Sequence, residues 1–271
     1  MAISPTGEYI DYYGGQQDID AQMIRAVGNP TERFSEDALR MIRAIRFAAQ
    51  LGFTIEQQTL QAIEEKAESI SFIAMERVQV ELSKIWTSKY IANAISYMEQ
   101  TKLVDYLPGA LIAEQWANVE TTNRQLGWAY FCFVNERDLS LLNSYRCSNK
   151  DKQFTKNVFE AYDHMQQGLV QMDFFEFDLE VLQGAYQMAT WQGKTPAFVY
   201  EQIEVEKKAL IIQNRQQLAV SGHDFMTWTD KKRGPWIKDA LQAALEAVVS
   251  GQVVNEKQQL KDWFHAFYNE G

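Results

Sequence analysis

Between residues 35 and 51 the apolar side chains gather on one side of a helical wheel. Met41, Ile42, Ile45, Ala48 and Ala49 share a face, while Glu36, Arg40, Arg43, Arg46 and Gln50 share the opposite one. Ser35 reads as the N-cap of this helix, Glu36 and Asp37 suit its positive end, and Gly52 is a natural residue just past its last turn. Thr54 with Gln57 has the form of a capping box opening a second helix that turns Leu60, Ile63 and Ala67 inward. Helical spacing continues over 75–86, with Val78, Leu82 and Ile85 apolar, and over 90–98. It breaks at Leu107-Pro108-Gly109 and resumes over 154–167, 179–190, 197–212 and 236–250. Asn255 and Gln258 form another capping box, opening a terminal helix that buries Leu260, Phe264 and Phe267. Residues 1–28 do not share this pattern. Tyr9-Ile10-Asp11-Tyr12-Tyr13 between two turn signals reads as a strand whose sheet partners lie elsewhere or are absent.

Composition narrows the function classes. The chain has 271 residues and a net charge of −10, with 46% hydrophobic and 13% aromatic positions, which excludes a disordered tail and a uniformly basic nucleic-acid coat. A local basic track on an acidic body stays open. Two cysteines, Cys132 and Cys147, and three histidines make neither a disulfide framework nor a four-ligand zinc site, so the reducing cytoplasm is the expected compartment. No apolar run approaches the ~20 residues that span a bilayer. The tryptophans fit helical cores better than base-stacking platforms.

The chemistry concentrates in Glu36-Asp37-Ala38-Leu39-Arg40. An aspartate accepts hydrogen bonds and an arginine donates them. Side by side, Asp37 and Arg40 match the Watson–Crick edges of cytosine and adenine, which offer an amine donor beside a ring-nitrogen acceptor. Guanine and uracil present the reverse order. By spacing alone the same residues equally form an ordinary surface ion pair.

The wider segment from Arg33 to Phe53, reading RFSEDALRMIRAIRFAAQLGF, resembles the neck signature of class II tRNA nucleotidyltransferases, which comprise the CCA-adding enzymes and bacterial poly(A) polymerases. Ile10-Asp11, Gly14-Gly15-Gln16-Gln17-Asp18-Ile19 and Ile24-Arg25-Ala26-Val27-Gly28 are similar to that family's passage from head to neck. Met75-Glu76-Arg77-Val78 resembles its next neck helix. Gly222-His223-Asp224-Phe225, Gly234-Pro235-Trp236-Ile237 and the segment 251–257 look like the tail of the CCA-adding branch.

The resemblance implies a mainly α fold. A multi-helix array follows a short remnant of an α/β nucleotidyltransferase head, with 1–28 as head remnant, 29–96 as neck, 97–206 as body and 207–271 as tail. It implies CMP and AMP transfer from CTP and ATP to the tRNA 3′ end without a nucleic-acid template, in the cytoplasm. Asp37 and Arg40 would select the base, Glu36 would orient Arg40, and Arg43 and Arg46 would continue the nucleotide-binding stripe. Glu76 and Arg77 would brace the neck. Lys231, Lys232, Arg233, Lys150 and Lys152 are candidate contacts to the tRNA acceptor stem and elbow.

The family's Mg²⁺ is held by a strand-borne Asp-x-Asp after a Gly-Ser turn. Asp18-Ile19-Asp20 has the spelling without that setting, so the sequence predicts no catalytic or metal residue in this chain and no activity from it alone. His223-Asp224 lacks the further ligands of a phosphohydrolase metal site and reads as a turn. Two rivals stand beside CCA addition. One is poly(A) or partial-CCA synthesis; the other is a helical RNA-binding protein without chemistry.

Overall fold

The computed structural model describes residues 2–196 and 199–268. The chain divides into two compact units, 1–156 and 157–271, and the division falls inside the segment read as body.

The first unit opens with a hairpin. β1 (Ala2–Ile3) pairs antiparallel with β2 (Tyr9–Ile10), Ile3 opposite Tyr9, around a turn where Gly7 takes φ +86°. The strand whose partners were expected elsewhere or absent pairs with the first residues of the chain itself. After α1 (Gly15–Asp20), β3 (Met23–Ile24) pairs in parallel with β4 (Thr54–Ile55), across the helices α2 (Pro30–Glu36) and α3 (Leu39–Leu51). Gly52 ends α3 at φ +71°, and a Cβ there would meet the Tyr90 ring at 2.6 Å, so glycine is needed for both conformation and space.

Two expected caps in this unit are corrected. Thr54 lies in β4, and Glu56 caps α4 (Gln57–Lys66) by accepting from the Thr59 N–H at 2.9 Å. The strand pairing removes Thr54 from the capping position. Ser35 is inside the last turn of α2, its hydroxyl donating to the Thr31 carbonyl at 2.8 Å. The N-cap of this region is Asn29, which accepts from the N–H groups of Thr31 and Glu32, with Pro30 fitting the first helical position.

The core lies where α3 packs on α5 (Met75–Ile85) and α6 (Ile91–Gln100). Met41, Ile42, Ile45 and Ala49 meet an interior containing Val78, Leu82, Ile85 and Ile95, all buried. The apolar face read from the wheel is the core face. An aromatic cluster continues it into α7 (Arg124–Val134), α8 (Ser140–Ser144) and the start of α9 (Asn149–Gln167). Trp86 stacks on Trp116 at 4.5 Å, and Trp128 meets Trp86 edge-on at 5.7 Å. The three tryptophans are fully buried core residues. Gly127 lets α7 approach, since a Cβ there would lie 2.4 Å from the Trp86 Cβ.

The second unit continues α9 and adds α10 (Gln171–Glu176), α11 (Leu179–Trp191), α12 (Tyr200–Ala209), α13 (Gly222–Thr227), α14 (Trp236–Val249) and α15 (Lys257–Trp263). Lys207 closes the C-terminal end of α10 by donating to the Phe174 and Phe177 carbonyls. The expected start at residue 197 lies outside the described residues, and α12 begins at Tyr200. In the terminal segment Leu260 and Phe264 are buried, while the Phe267 side chain lies outside the described residues. Asn255 does not cap α15. Its amide group instead clamps the chain before α13, accepting from the Ala219 N–H and donating to the Gln217 carbonyl, both at 2.8 Å. No helix among the described residues is long and apolar enough to cross a membrane.

Candidate functional site

Asp37 does not sit on the surface of a continuous helix. It occupies a break between α2 and α3 with extended backbone (φ −153°, ψ 103°), and its Oδ1 accepts from the Leu39 N–H at 3.1 Å. A short acidic side chain that bonds its own following backbone competes with helix continuation, which is why one expected helix became two. The other oxygen, Oδ2, accepts from Arg77 on α5 at 2.9 Å. Burial works to raise the Asp37 pKa, but the Arg77 hydrogen bond, the Leu39 N–H and the charges of Arg77 and Arg40 outweigh it, and the carboxyl is held below its ordinary value.

Arg40 is held from the other side. It donates to Glu36 at 2.5 Å and to the Arg33 carbonyl at 3.1 Å, both through Nη1, which leaves the rest of the guanidinium fork outside these bonds. Glu36 also accepts from Arg33 at 2.9 Å, and the Arg40 hydrogen bond is the main reason its carboxyl is lowered. Asp37 and Arg40 thus stand in one neighbourhood without a direct bond, each fixed by a different partner. Each carboxylate oxygen of Asp37 has lone-pair capacity beyond its single donor.

Arg40 and Arg43 line an open cavity of about 320 Å³ with Arg25, Arg33, Ala44 and Phe47, and Ala26 and Val27 after β3 belong to the same wall. Asp37 is not part of its wall. Four arginines around one hollow suit a polyanionic group, and the half-exposed Phe47 ring offers an apolar face. Arg25, Arg33 and Phe47 were not expected here. Arg25 reaches the cavity only because β3 pairs with β4, a long-range contact that local spacing does not reveal.

Arg46 departs from the expected stripe. It is 9% exposed, ion-paired through Nε with Glu81 of α5 at 2.6 Å and hydrogen-bonded through Nη1 to Gln50 at 2.7 Å, with its guanidinium 4.0 Å from the Phe47 ring. On a 13-residue helix packed on two sides, the polar face is too wide to stay wholly in solvent, and its last arginine turns inward to a buried glutamate.

Asp18 pairs with Arg25 at 3.1 Å, and Asp20 accepts from Gln16, so the Asp-x-Asp spelling is spent on local contacts within and beside α1. Among the described residues no group of three His, Cys, Asp or Glu side chains is placed to hold a metal ion. His223-Asp224 opens α13, with Asp224 in a capping box with Ser221 and paired to Lys257. These bonds lower its pKa to about 2, the Lys257 hydrogen bond most. Lys150 and Lys152 lie in the first turn of α9, exposed and half-buried respectively. Lys231, Lys232 and Arg233 form an exposed loop in the second unit, tied at the Lys232 carbonyl by the Trp236 indole N–H at 2.8 Å.

Residues 119–264 match the family described as "tRNA nucleotidyltransferase domain 2 putative", and residues 52–111 match "Probable RNA and SrmB- binding site of polymerase A". A CCA-adding enzyme of Bacillus cereus (strain G9842) is 33% identical over 277 residues, covering 97% of this chain and 69% of that enzyme. The crystal structure of Bacillus stearothermophilus CCA-adding enzyme in complex with CTP superposes with a TM-score of 0.87 at 30% identity, covering 99% of this chain and 71% of the other. The Thermotoga maritima CCA-adding enzyme complexed with tRNA shares the fold, with a TM-score of 0.62 at 18% identity. With one third identity over nearly its whole length and a family model matched over more than half of it, this chain belongs to the CCA-adding enzyme family of tRNA nucleotidyltransferases.

Proposed function

We propose that this chain supplies the nucleotide-selecting and tRNA-holding parts of tRNA 3′-terminal CCA addition in the cytoplasm. Asp37 accepts the exocyclic amine of CTP or ATP, and Arg40 donates to the ring nitrogen beside it. The observation that carries this reading is that each side chain is fixed by another, Asp37 by Arg77 and Arg40 by Glu36, with accepting capacity left on Asp37 and donating capacity left on Arg40. A base with the reverse order would leave charged groups unpaired, and that penalty makes hydrogen-bond discrimination large. The arginines of the nearby cavity take the triphosphate, with Arg43 as the exposed contact, while Arg46 supports the helix. The basic loop at Lys231, Lys232 and Arg233 and the pair Lys150 and Lys152 contribute phosphate contacts to tRNA.

Mg²⁺ chemistry is not routed through the described residues. Asp18 and Asp20 are engaged by Arg25 and Gln16 and do not converge. The carboxylates that would hold the ions are supplied from outside them, and this chain alone transfers no nucleotide. The test is binding of CTP, ATP, GTP and UTP to the 271-residue chain by calorimetry, with incorporation into tRNA assayed in Mg²⁺. Preference for CTP and ATP without incorporation is expected. Equal binding of all four would overturn the template assignment, and incorporation would overturn the placement of the metal site.

A further inference from the structure

The first unit holds a second and larger hollow, a groove of about 630 Å³ between α5 and the starts of α7 and α9. We propose that this groove seats consecutive backbone phosphates of tRNA, through Lys84, Arg124 and Arg146. The proposal rests on the tRNA reading above and adds a site to it.

The three cations come from three separate elements: Lys84 from α5, Arg124 from the first turn of α7, and Arg146 from the turn before α9. Their side chains are 44%, 48% and 67% exposed. The nearby carboxylates are Glu81, Asp151 and Glu76. Glu81 holds Lys84 at 3.1 Å and Asp151 holds Arg124 at 3.2 Å, but both carboxylates are buried. Glu81 lies outside the lining; Asp151 belongs to it with its side chain 2% exposed, so the wall carries three exposed cations against one buried carboxylate. Glu76 is exposed and only 3.9 Å from Arg146, beyond hydrogen-bond reach, so it competes weakly.

Arg146 also adopts φ +55°, a left-handed conformation that an arginine accepts at a cost and an asparagine or glycine accepts easily. The starts of α7 and α9 add two partial positive charges to the same groove. Gln79, Ser83 and Thr122 complete a polar wall. No aromatic ring lines it, so it offers nothing to stack a base on and reads backbone, not sequence.

The test measures binding of a tRNA transcript lacking its CCA end to the 271-residue chain across a salt series. Arg146→Asn suits the φ of that position, and Lys84→Gln tests a second element independently. Each variant should flatten the slope of log affinity against log salt by about 0.7–0.9, and the double variant by about 1.5. CTP affinity should not change. If the unaltered chain binds tRNA and both variants keep its slope, this proposal falls while the functional reading stands. If the unaltered chain binds no tRNA, both fall. Pyrophosphate is the remaining probe: binding of it that the variants abolish, with the tRNA slope intact, would assign the groove to free polyphosphate and overturn the proposal.

Discussion

Arg40 and Arg46 lie on the same helix, and each reaches a glutamate at hydrogen-bonding distance, 2.5 Å to Glu36 and 2.6 Å to Glu81. Their surroundings differ. The Arg40 and Glu36 side chains are 37% and 51% exposed, whereas those of Arg46 and Glu81 are 10% and 8% exposed. Water screens the first pair, so it adds little to stability and its members keep donors and acceptors for a ligand. The second pair joins α3 to α5 in the interior, and removing either partner strands a charge there. One helix thus carries a buried arginine paired into the interior and, nearer its start, an exposed arginine paired at the surface, and the second is the one proposed to meet a base.

The largest expected effect breaks the interior pair. Arg46→Ala should lower stability by up to about 3 kcal/mol in urea unfolding, because Glu81 stays buried with only the half-exposed Lys84 to compensate it. Arg46→Met combined with Glu81→Leu should recover most of that loss, since an apolar pair of similar volume removes both desolvation penalties. A loss below about 1 kcal/mol for the single change would place Arg46 with the exposed pairs.

The next effect inverts the pattern. Asp37→Ala with Arg40→Ala should change stability by less than about 1 kcal/mol. It should remove about 1–3 kcal/mol of discrimination between CTP and UTP, read as a change in their relative affinities. A large stability loss with intact discrimination would mean that the roles of the two ends of α3 are exchanged.

A smaller effect is expected one step back from the base. Arg77→Met removes the side-chain donor that fixes Asp37 Oδ2, so CTP discrimination should fall by about 1 kcal/mol and Arg77→Lys should restore part of it. An unchanged ratio would show that the Leu39 N–H alone positions the carboxylate.

Much of this was legible in the sequence because helical periodicity is local. The inward face of α3, the core positions Val78, Leu82 and Ile85 and the terminal Gly52 all follow from spacing. Asp37 and Arg40 were paired on helical spacing, whereas the break before α3 puts Asp37 outside that helix. The partners that hold them were only half legible. Glu36 lies one turn from Arg40, but the Asp37 bond to Arg77 and the Arg46 bond to Glu81 cross from α3 or its cap to α5. The break before α3 was obscured because Ser35, Glu36 and Asp37 all look like the first turn of a helix, and the stronger signal, Asn29-Pro30, stood further upstream. The phosphate groove was invisible for a similar reason, since Lys84, Arg124 and Arg146 meet only through packing.

The smallest effect is one of acidity, and its sign distinguishes the exposed site from a generic surface. The Asp37 carboxyl is held below its ordinary value of 3.8 in the folded chain. A group whose folded pKa is lowered contributes stability that is fully present above the unfolded pKa and is lost as pH falls through the folded one. The stability difference between the unaltered chain and Arg77→Met should therefore be flat between about pH 8 and 5 and should shrink only below about pH 4. Its size should stay under about 1 kcal/mol, because the pair is partly screened. The CTP preference should be flat over the same range, since Asp37 remains an ionised acceptor throughout. If the difference already closed near pH 5, the Asp37 carboxyl would be titrating above its ordinary value, and burial would outweigh Arg77 in setting its acidity.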